Sequence, residues 1–145
     1  MLRDDALVQA AWQAWANAYA PYSGLAVGAA VETADGQIFA GCNVENASYG
    51  LTLCAERNAL AQAVARGQRG ICRVVVVADT TQPLAPCGAC RQWLWELAPA
   101  AEVILLNRQG EWRRSTTAEL LPLAFDRGHL LGKTGSEAGN TQRAT

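Results

Sequence analysis

The chain has 145 residues, half of them hydrophobic, and its 12 Lys and Arg against 13 Asp and Glu leave a net charge of -1. That length suits one domain with a real core rather than two, and the even charge with no basic run argues against a nucleic-acid partner. Met1 to Asp5 is charged, and no apolar stretch approaches the roughly 20 residues that span a bilayer, so a soluble, cytoplasmic protein with no membrane partner is expected.

From about Asp5 to Tyr19, the residues Val8, Trp12, Trp15 and Tyr19 recur at the period of one helical face, with Asp4 or Asp5 available as a cap. Ala20 to Gly24 breaks that helix. Val27 to Thr33 and Gln37 to Cys42 then flank Asp35-Gly36, a two-residue hairpin signal, and predict two antiparallel strands. Thr52 to Arg66 is rich in Ala and Leu and closes on Gly67, as a helix with glycine just past its end does. Val74 to Ala78 lacks polar alternation and suits a strand covered on both faces. A second helix is expected after Pro86, running to Leu97 and stopping before Pro99. Glu102 to Leu106 and Glu111 to Ser115 read as strands. Their four-residue link, Asn107 to Gly110, is too short for a parallel crossover, so they should be antiparallel. Thr116 to Glu119 reads as a capping box opening a short helix that ends near Pro122.

Beyond Phe125 the apolar period is lost. Residues 1–131 are read as the catalytic domain, and the polar, Gly- and Thr-rich residues 132–145 as a disordered tail. Gly132-Lys133-Thr134 is not a phosphate-binding loop, because Arg127 stands where its first glycine is required. His129, the only histidine, falls in this weakly patterned stretch and is assigned no role.

Five cysteines without a secretion signal point to a metal or to catalysis rather than to disulfides. The chemistry concentrates in Cys54-Ala55-Glu56 and Pro86-Cys87-Gly88-Ala89-Cys90, each at the expected first turn of a helix. There the free N–H groups and the helix dipole favour the thiolate that a metal requires. Cys87 and Cys90 can chelate one ion, and Cys54 from the other helix makes a three-ligand zinc site with a fourth position open for catalysis. Three thiolates around Zn2+ carry a formal charge of about -1, and Arg57 is the natural donor to a ligand sulfur that offsets it. On ideal helix geometry Glu56 lies about 200° round from Cys54. Even so, Cys-x-Glu followed by Pro-Cys-x-x-Cys is the layout of zinc deaminases, in which the glutamate carries protons and is not a ligand.

A redox Cys-x-x-Cys pair explains neither the third cysteine nor the glutamate. Cys42 and Cys72 lie at the end and start of predicted strands and are expected to be small core hydrophobes, although either as a fourth thiolate would turn the site into a closed, structural one. Trp12, Trp15, Trp93, Trp95 and Trp112, without interleaved basic residues, are expected to anchor the core or a subunit interface rather than stack on bases.

Tyr19-Ala20-Pro21-Tyr22-Ser23, Val27 to Ala30, Gly41 to Thr52, Cys54 to Arg57, Pro86 to Gln92 and Glu119 to Phe125 closely resemble the homotetrameric cytidine deaminase family. The resemblance implies a three-layer α/β/α fold with a five-stranded mixed sheet whose last two strands are antiparallel. It further implies hydrolytic deamination of cytidine or deoxycytidine in pyrimidine salvage, with zinc as cofactor and Glu56 moving the protons. Asn43 and Glu45 are then expected to bind the ribose, chiefly its 3′-hydroxyl, the Ala55 backbone and Glu56 the pyrimidine edge, and Tyr49 and Phe125 to complete the site of a neighbouring subunit. Leu25, a wall of the substrate pocket, stands where the family usually has Phe, and Leu123 where it usually has Gly. A related aminohydrolase of the blasticidin-deaminase type shares the zinc signature without the Asn43-Val44-Glu45-Asn46 motif.

Overall fold

The computed structural model describes residues 2–132, and the expected tail lies outside them apart from Gly132. Five strands form one mixed sheet in the order β2-β1-β3-β4-β5. They are β1 (Val27–Thr33), β2 (Ile38–Cys42), β3 (Ile71–Ala78), β4 (Glu102–Asn107) and β5 (Trp112–Thr116). β1 runs antiparallel to both β2 and β3, β3 and β4 are parallel, and β4 and β5 are antiparallel, as the short link between them requires.

The alternation of side chains along β3 sorts the core into two halves. Val74, Val76 and Ala78 face one cluster with Ala59, Leu60 and Ala63 of α2 (Ala55–Ala65) and Leu94 of α3 (Gly88–Leu97). Val75 and Val77 face the other with Leu7, Val8 and Ala11 of α1 (Ala6–Trp15). Each of these valines is at most 1% exposed, and burying one stabilises by about 1.5–3 kcal/mol. The result is α1, then the sheet, then α2 with α3. Two glycines set how closely the layers approach. A Cβ on Gly28 would meet the Ala11 carbonyl oxygen at 2.2 Å, and one on Gly41 would meet the Ala59 nitrogen at 2.7 Å.

Several boundaries differ from the sequence-based expectation. Asp5 does cap α1, accepting from Leu7 N at 2.9 Å, but the helix ends at Trp15 rather than Tyr19. Tyr19 instead pairs with the Asn43–Glu45 segment, donating to Asn43 O at 3.0 Å and accepting from Glu45 N at 2.9 Å. The first hairpin is closed by three residues, Ala34 to Gly36, because Thr33 N bonds Gln37 O and Gly36 takes the left-handed conformation with φ 87. α2 starts at Ala55, three residues later than expected, since Tyr49–Leu51 forms a 3-10 turn and Leu53 bridges Val44.

The larger correction concerns His129. It lies in a short helix, Arg127–Leu130, where Asp126 and His129 form a reciprocal capping box. A one-turn helix has too few residues to show an apolar period, so its only sequence signal was the cap.

Candidate active site

α2 and α3 lie on the same face of the sheet with their N-termini together, and that arrangement makes the site. Cys54 and Cys87 are the N-cap residues of α2 and α3, each in extended backbone (φ -76, ψ 156 and φ -71, ψ 170). Neither side chain caps its own helix, so both thiols are free to point at a common centre. Cys90 sits in the first turn of α3 and is fully buried. The three sulfurs lie within 4.8 Å of one another, with Cys54 and Cys87 3.8 Å apart. Two ligands about 2.3 Å from a tetrahedral zinc are separated by about 3.8 Å, so the donor set fits that ion. Cys42 and Cys72 are outside the cluster and half-buried rather than core, with the Cys72 thiol directed at the Glu32 carbonyl.

Arg57, one turn into α2, donates to Cys54 Sγ at 3.2 Å and to Thr52 O at 3.3 Å. The Cys54 thiol is drawn down from 9.0 to about 5, chiefly by the hydrogen bond from the Cys90 thiol and then, against burial, by the Arg57 guanidinium. Cys90 is correspondingly pushed up by the same bond and by burial. The Arg57 guanidinium beside Cys54 thus favours the thiolate form that a metal ligand needs.

Glu56 is 4% exposed, and burial raises its carboxyl from 4.5 to about 7, with the negative charge of Cys54 adding to the shift. The angle of 200° on an ideal helix does not separate it from Cys54, because Cys54 caps the helix and is not part of its spiral. A buried carboxyl that titrates near neutrality beside three thiols can both take and give a proton.

Of the residues expected to contact substrate, Ala55 opens α2 and is buried, and the others lie on loops or at loop ends. Asn43, 8% exposed, is held by the main chain of the β1 approach: its Oδ1 accepts from Val27 N at 2.9 Å and its Nδ2 donates to Leu25 O at 2.8 Å. By valence the amide keeps one hydrogen and one lone pair for a ligand. Glu45 lines a cavity of about 310 Å3 with Tyr22, Ser23, Asn46, Tyr49 and Thr52. The Tyr49 ring, 74% exposed, meets Tyr22 edge-on at 6.2 Å. Phe125 is 56% exposed, its ring stacked on His129 and its carbonyl held by Gln92 Nε2 at 2.8 Å.

Sequence reasoning missed Arg91, whose Nε donates to Pro86 O at 2.8 Å and whose guanidinium also reaches Leu120 O at 3.0 Å. It ties the Cys87 turn to the start of the segment that carries Leu123 and Phe125. Its position one residue after Cys90 was the only available hint. Trp93 and Trp112, at 37% and 53% exposure, are surface residues of this chain, whereas Trp12 and Trp15 pack against the α1 core.

Three thiols at zinc spacing and a buried carboxyl beside them, on an α/β/α sheet, fit a metal-dependent hydrolase of the zinc deaminase class. Residues 1–106 match the family model described as the cytidine and deoxycytidylate deaminase zinc-binding region. A cytidine deaminase of Halalkalibacterium halodurans is 52% identical over 120 residues, 82% of this chain and 91% of that protein. One from Sporosarcina psychrophila is 44% identical over 127 residues, 87% and 93% of the two chains. The crystal structure of cytidine deaminase from Burkholderia pseudomallei superposes with a TM-score of 0.81 at 54% identity, covering 83% of this chain and 97% of that one. The chain belongs to the cytidine deaminase family, and its cofactor is zinc.

Proposed function

We propose that this enzyme hydrolyses cytidine and deoxycytidine to uridine and deoxyuridine with release of ammonia, as a step of pyrimidine salvage in the cytoplasm. Residues 1–131 form the catalytic domain. Zinc held by Cys54, Cys87 and Cys90 supplies the Lewis acidity that makes water a nucleophile at neutral pH. Glu56 takes one proton from the attacking water and passes it to N3 of the base as the C4–O bond forms, then takes the second from the hydroxyl of the C4 adduct and passes it to the amine, so that the C4–N bond breaks with loss of ammonia, the 4-keto product is left and Glu56 ends as it began. The Ala55 backbone and Glu56 read the pyrimidine edge, Asn43 and Glu45 hold the ribose, and Leu25 forms a wall against the base. Arg57 moderates the charge of the three thiolates. Tyr49 and Phe125, exposed in the single chain, fit a homotetramer in which each completes a neighbour's site.

The observation that carries this reading is the buried Glu56 carboxyl, raised to about 7, next to three sulfurs within 4.8 Å of one another. A structural zinc module gives that carboxyl no task, and neither Cys42 nor Cys72 is in reach to close the site. Glu56→Gln tests the proposal. Zinc content should be retained while kcat for cytidine falls by at least the 10²–10⁴-fold typical of a general acid–base group. Turnover close to that of the native protein would remove Glu56 from the chemistry.

A further inference from the structure

Ser23 makes an unusual set of contacts for an exposed serine. Its hydroxyl donates to Glu45 Oε2 while accepting from Leu25 N at 3.0 Å, and its own N–H donates to Glu45 Oε1 at 3.0 Å. Tyr22 N donates to the same Oε1 at 2.9 Å. An ionised carboxylate has about four lone-pair sites. With two N–H groups on Oε1 and one hydroxyl on Oε2, Glu45 is left with one acceptor site, on Oε2, whose direction the serine hydroxyl sets. The same contacts, led by the Ser23 hydroxyl, hold the Glu45 carboxyl below the usual carboxylate range and so keep it an acceptor.

We infer that Ser23 is a positioning residue for sugar recognition: its hydroxyl, bridging Glu45 and the Leu25 amide, aims the last acceptor site of Glu45 at one substrate hydroxyl. The inference rests on the reading of Glu45 as the ribose acceptor given above. No other donor among the described contacts of Glu45 reaches Oε2, so in Ser23→Ala the carboxylate keeps its two N–H bonds but loses its rotational anchor. The consequence is selective. The advantage of a substrate that carries the recognised hydroxyl shrinks, and the chemistry at C4 does not slow.

The test compares kcat/KM for cytidine and for 3′-deoxycytidine in the native enzyme, Ser23→Ala, Ser23→Thr, Glu45→Ala and the Ser23→Ala/Glu45→Ala pair, with zinc content and thermal midpoint confirming folding. Glu45→Ala should abolish the preference for the 3′-hydroxyl. Ser23→Ala should reduce it about tenfold, the size of one lost bond to a charged group, through KM and not kcat. Ser23→Thr, which keeps the hydroxyl, should restore it, and the double variant should be no worse than Glu45→Ala alone. If Glu45→Ala loses the preference but Ser23→Ala keeps it in full, the role of Ser23 is refuted and the ribose reading stands. If Glu45→Ala itself keeps the preference, the ribose reading falls and the role of Ser23 with it. Equal losses of kcat and thermal midpoint in Ser23→Ala, unrescued by Thr, make Ser23 merely structural and also overturn the inference.

Discussion

The metal end of the site and the rim proposed to receive its substrate are built on different principles. The sulfurs of Cys54, Cys87 and Cys90 are set by two helix N-termini docked on the same sheet, with Glu56 and Cys90 buried among core residues. The rim is made of loops, Tyr22 to Leu25, Asn43 to Thr52 and Leu121 to Phe125, fixed mainly by side chains bonding to main-chain groups. Tyr49, Leu123 and Phe125 stand 74%, 104% and 56% exposed there. The contrast indicates where change is tolerated. A centre locked by packing does one reaction, whereas a rim held by a few hydrogen bonds can alter what enters without disturbing the metal.

The most severe test of that division is Cys90→Ala. It should abolish zinc binding and activity together and lower stability, while Cys42→Ala and Cys72→Ala retain full zinc by elemental analysis. Full occupancy in Cys90→Ala would end the three-thiolate assignment.

At the rim, Leu25→Phe should tighten cytidine binding by up to about tenfold, since aromatic pairs add roughly 0.5–1.5 kcal/mol beyond the area they bury. It should also cost turnover of cytidines with larger base substituents more than that of cytidine itself. KM and kcat/KM for cytidine and one bulky analogue decide, and equal values in native and variant protein would show that Leu25 does not shape the pocket.

Leu123 provides a smaller and cleaner test. It has φ 55, the left-handed region that costs most side chains roughly 1–2 kcal/mol, which gives a physical reason for the glycine usual in the family at this place. Its side chain is fully exposed and loses no packing on removal. Leu123→Gly should therefore raise unfolding free energy, by about 1 kcal/mol after the greater chain entropy of glycine is set against the relief. Zinc content should not change. A loss of stability in urea unfolding would mean that the leucine is covered in the assembled enzyme.

The smallest effect is expected at Asp5, which lies outside both regions. Burial tends to raise its carboxyl pKa, but the bond with Arg73 and the α1 cap outweigh this and hold it below 3.8. A depressed carboxyl stabilises the fold at pH above its unfolded value and loses that contribution as pH falls through its folded value. Because asparagine keeps the cap and only the partly exposed ion pair with Arg73 is lost, the stability difference between native protein and Asp5→Asn should be about 0.5 kcal/mol near neutrality and shrink below about pH 4. Urea unfolding from pH 6 down to pH 3 measures it, and a constant difference would remove the ion pair from the account.

Much of the metal end was legible in the order of residues, for a physical reason. A Cys-x-x-Cys chelate, a third cysteine and a glutamate carry their chemistry in residue type and local spacing, and the glycine, proline and capping signals around them marked the helices. The four-residue link before β5 likewise constrained strand direction, because chain length bounds geometry. The rim was less legible. Its working contacts, Asn43 to Val27 N and Leu25 O, Arg91 to Pro86 O and Leu120 O, Gln92 to Phe125 O, span 5 to 33 positions and end on main-chain atoms that every residue possesses.

By itself, then, the sequence determined the ligand types, the strand covered on both faces and the antiparallel final pair, since each follows from local chemistry or from reach. Only the tertiary structure decided that Tyr19 leaves its helix to bridge Val44, that Cys54 and Cys87 cap their helices in extended backbone with sulfurs 3.8 Å apart, and that Ser23 holds Glu45. Those outcomes turn on which main-chain donors and acceptors the docked layers leave unpaired, and that competition is settled only when the sheet and its helices have met.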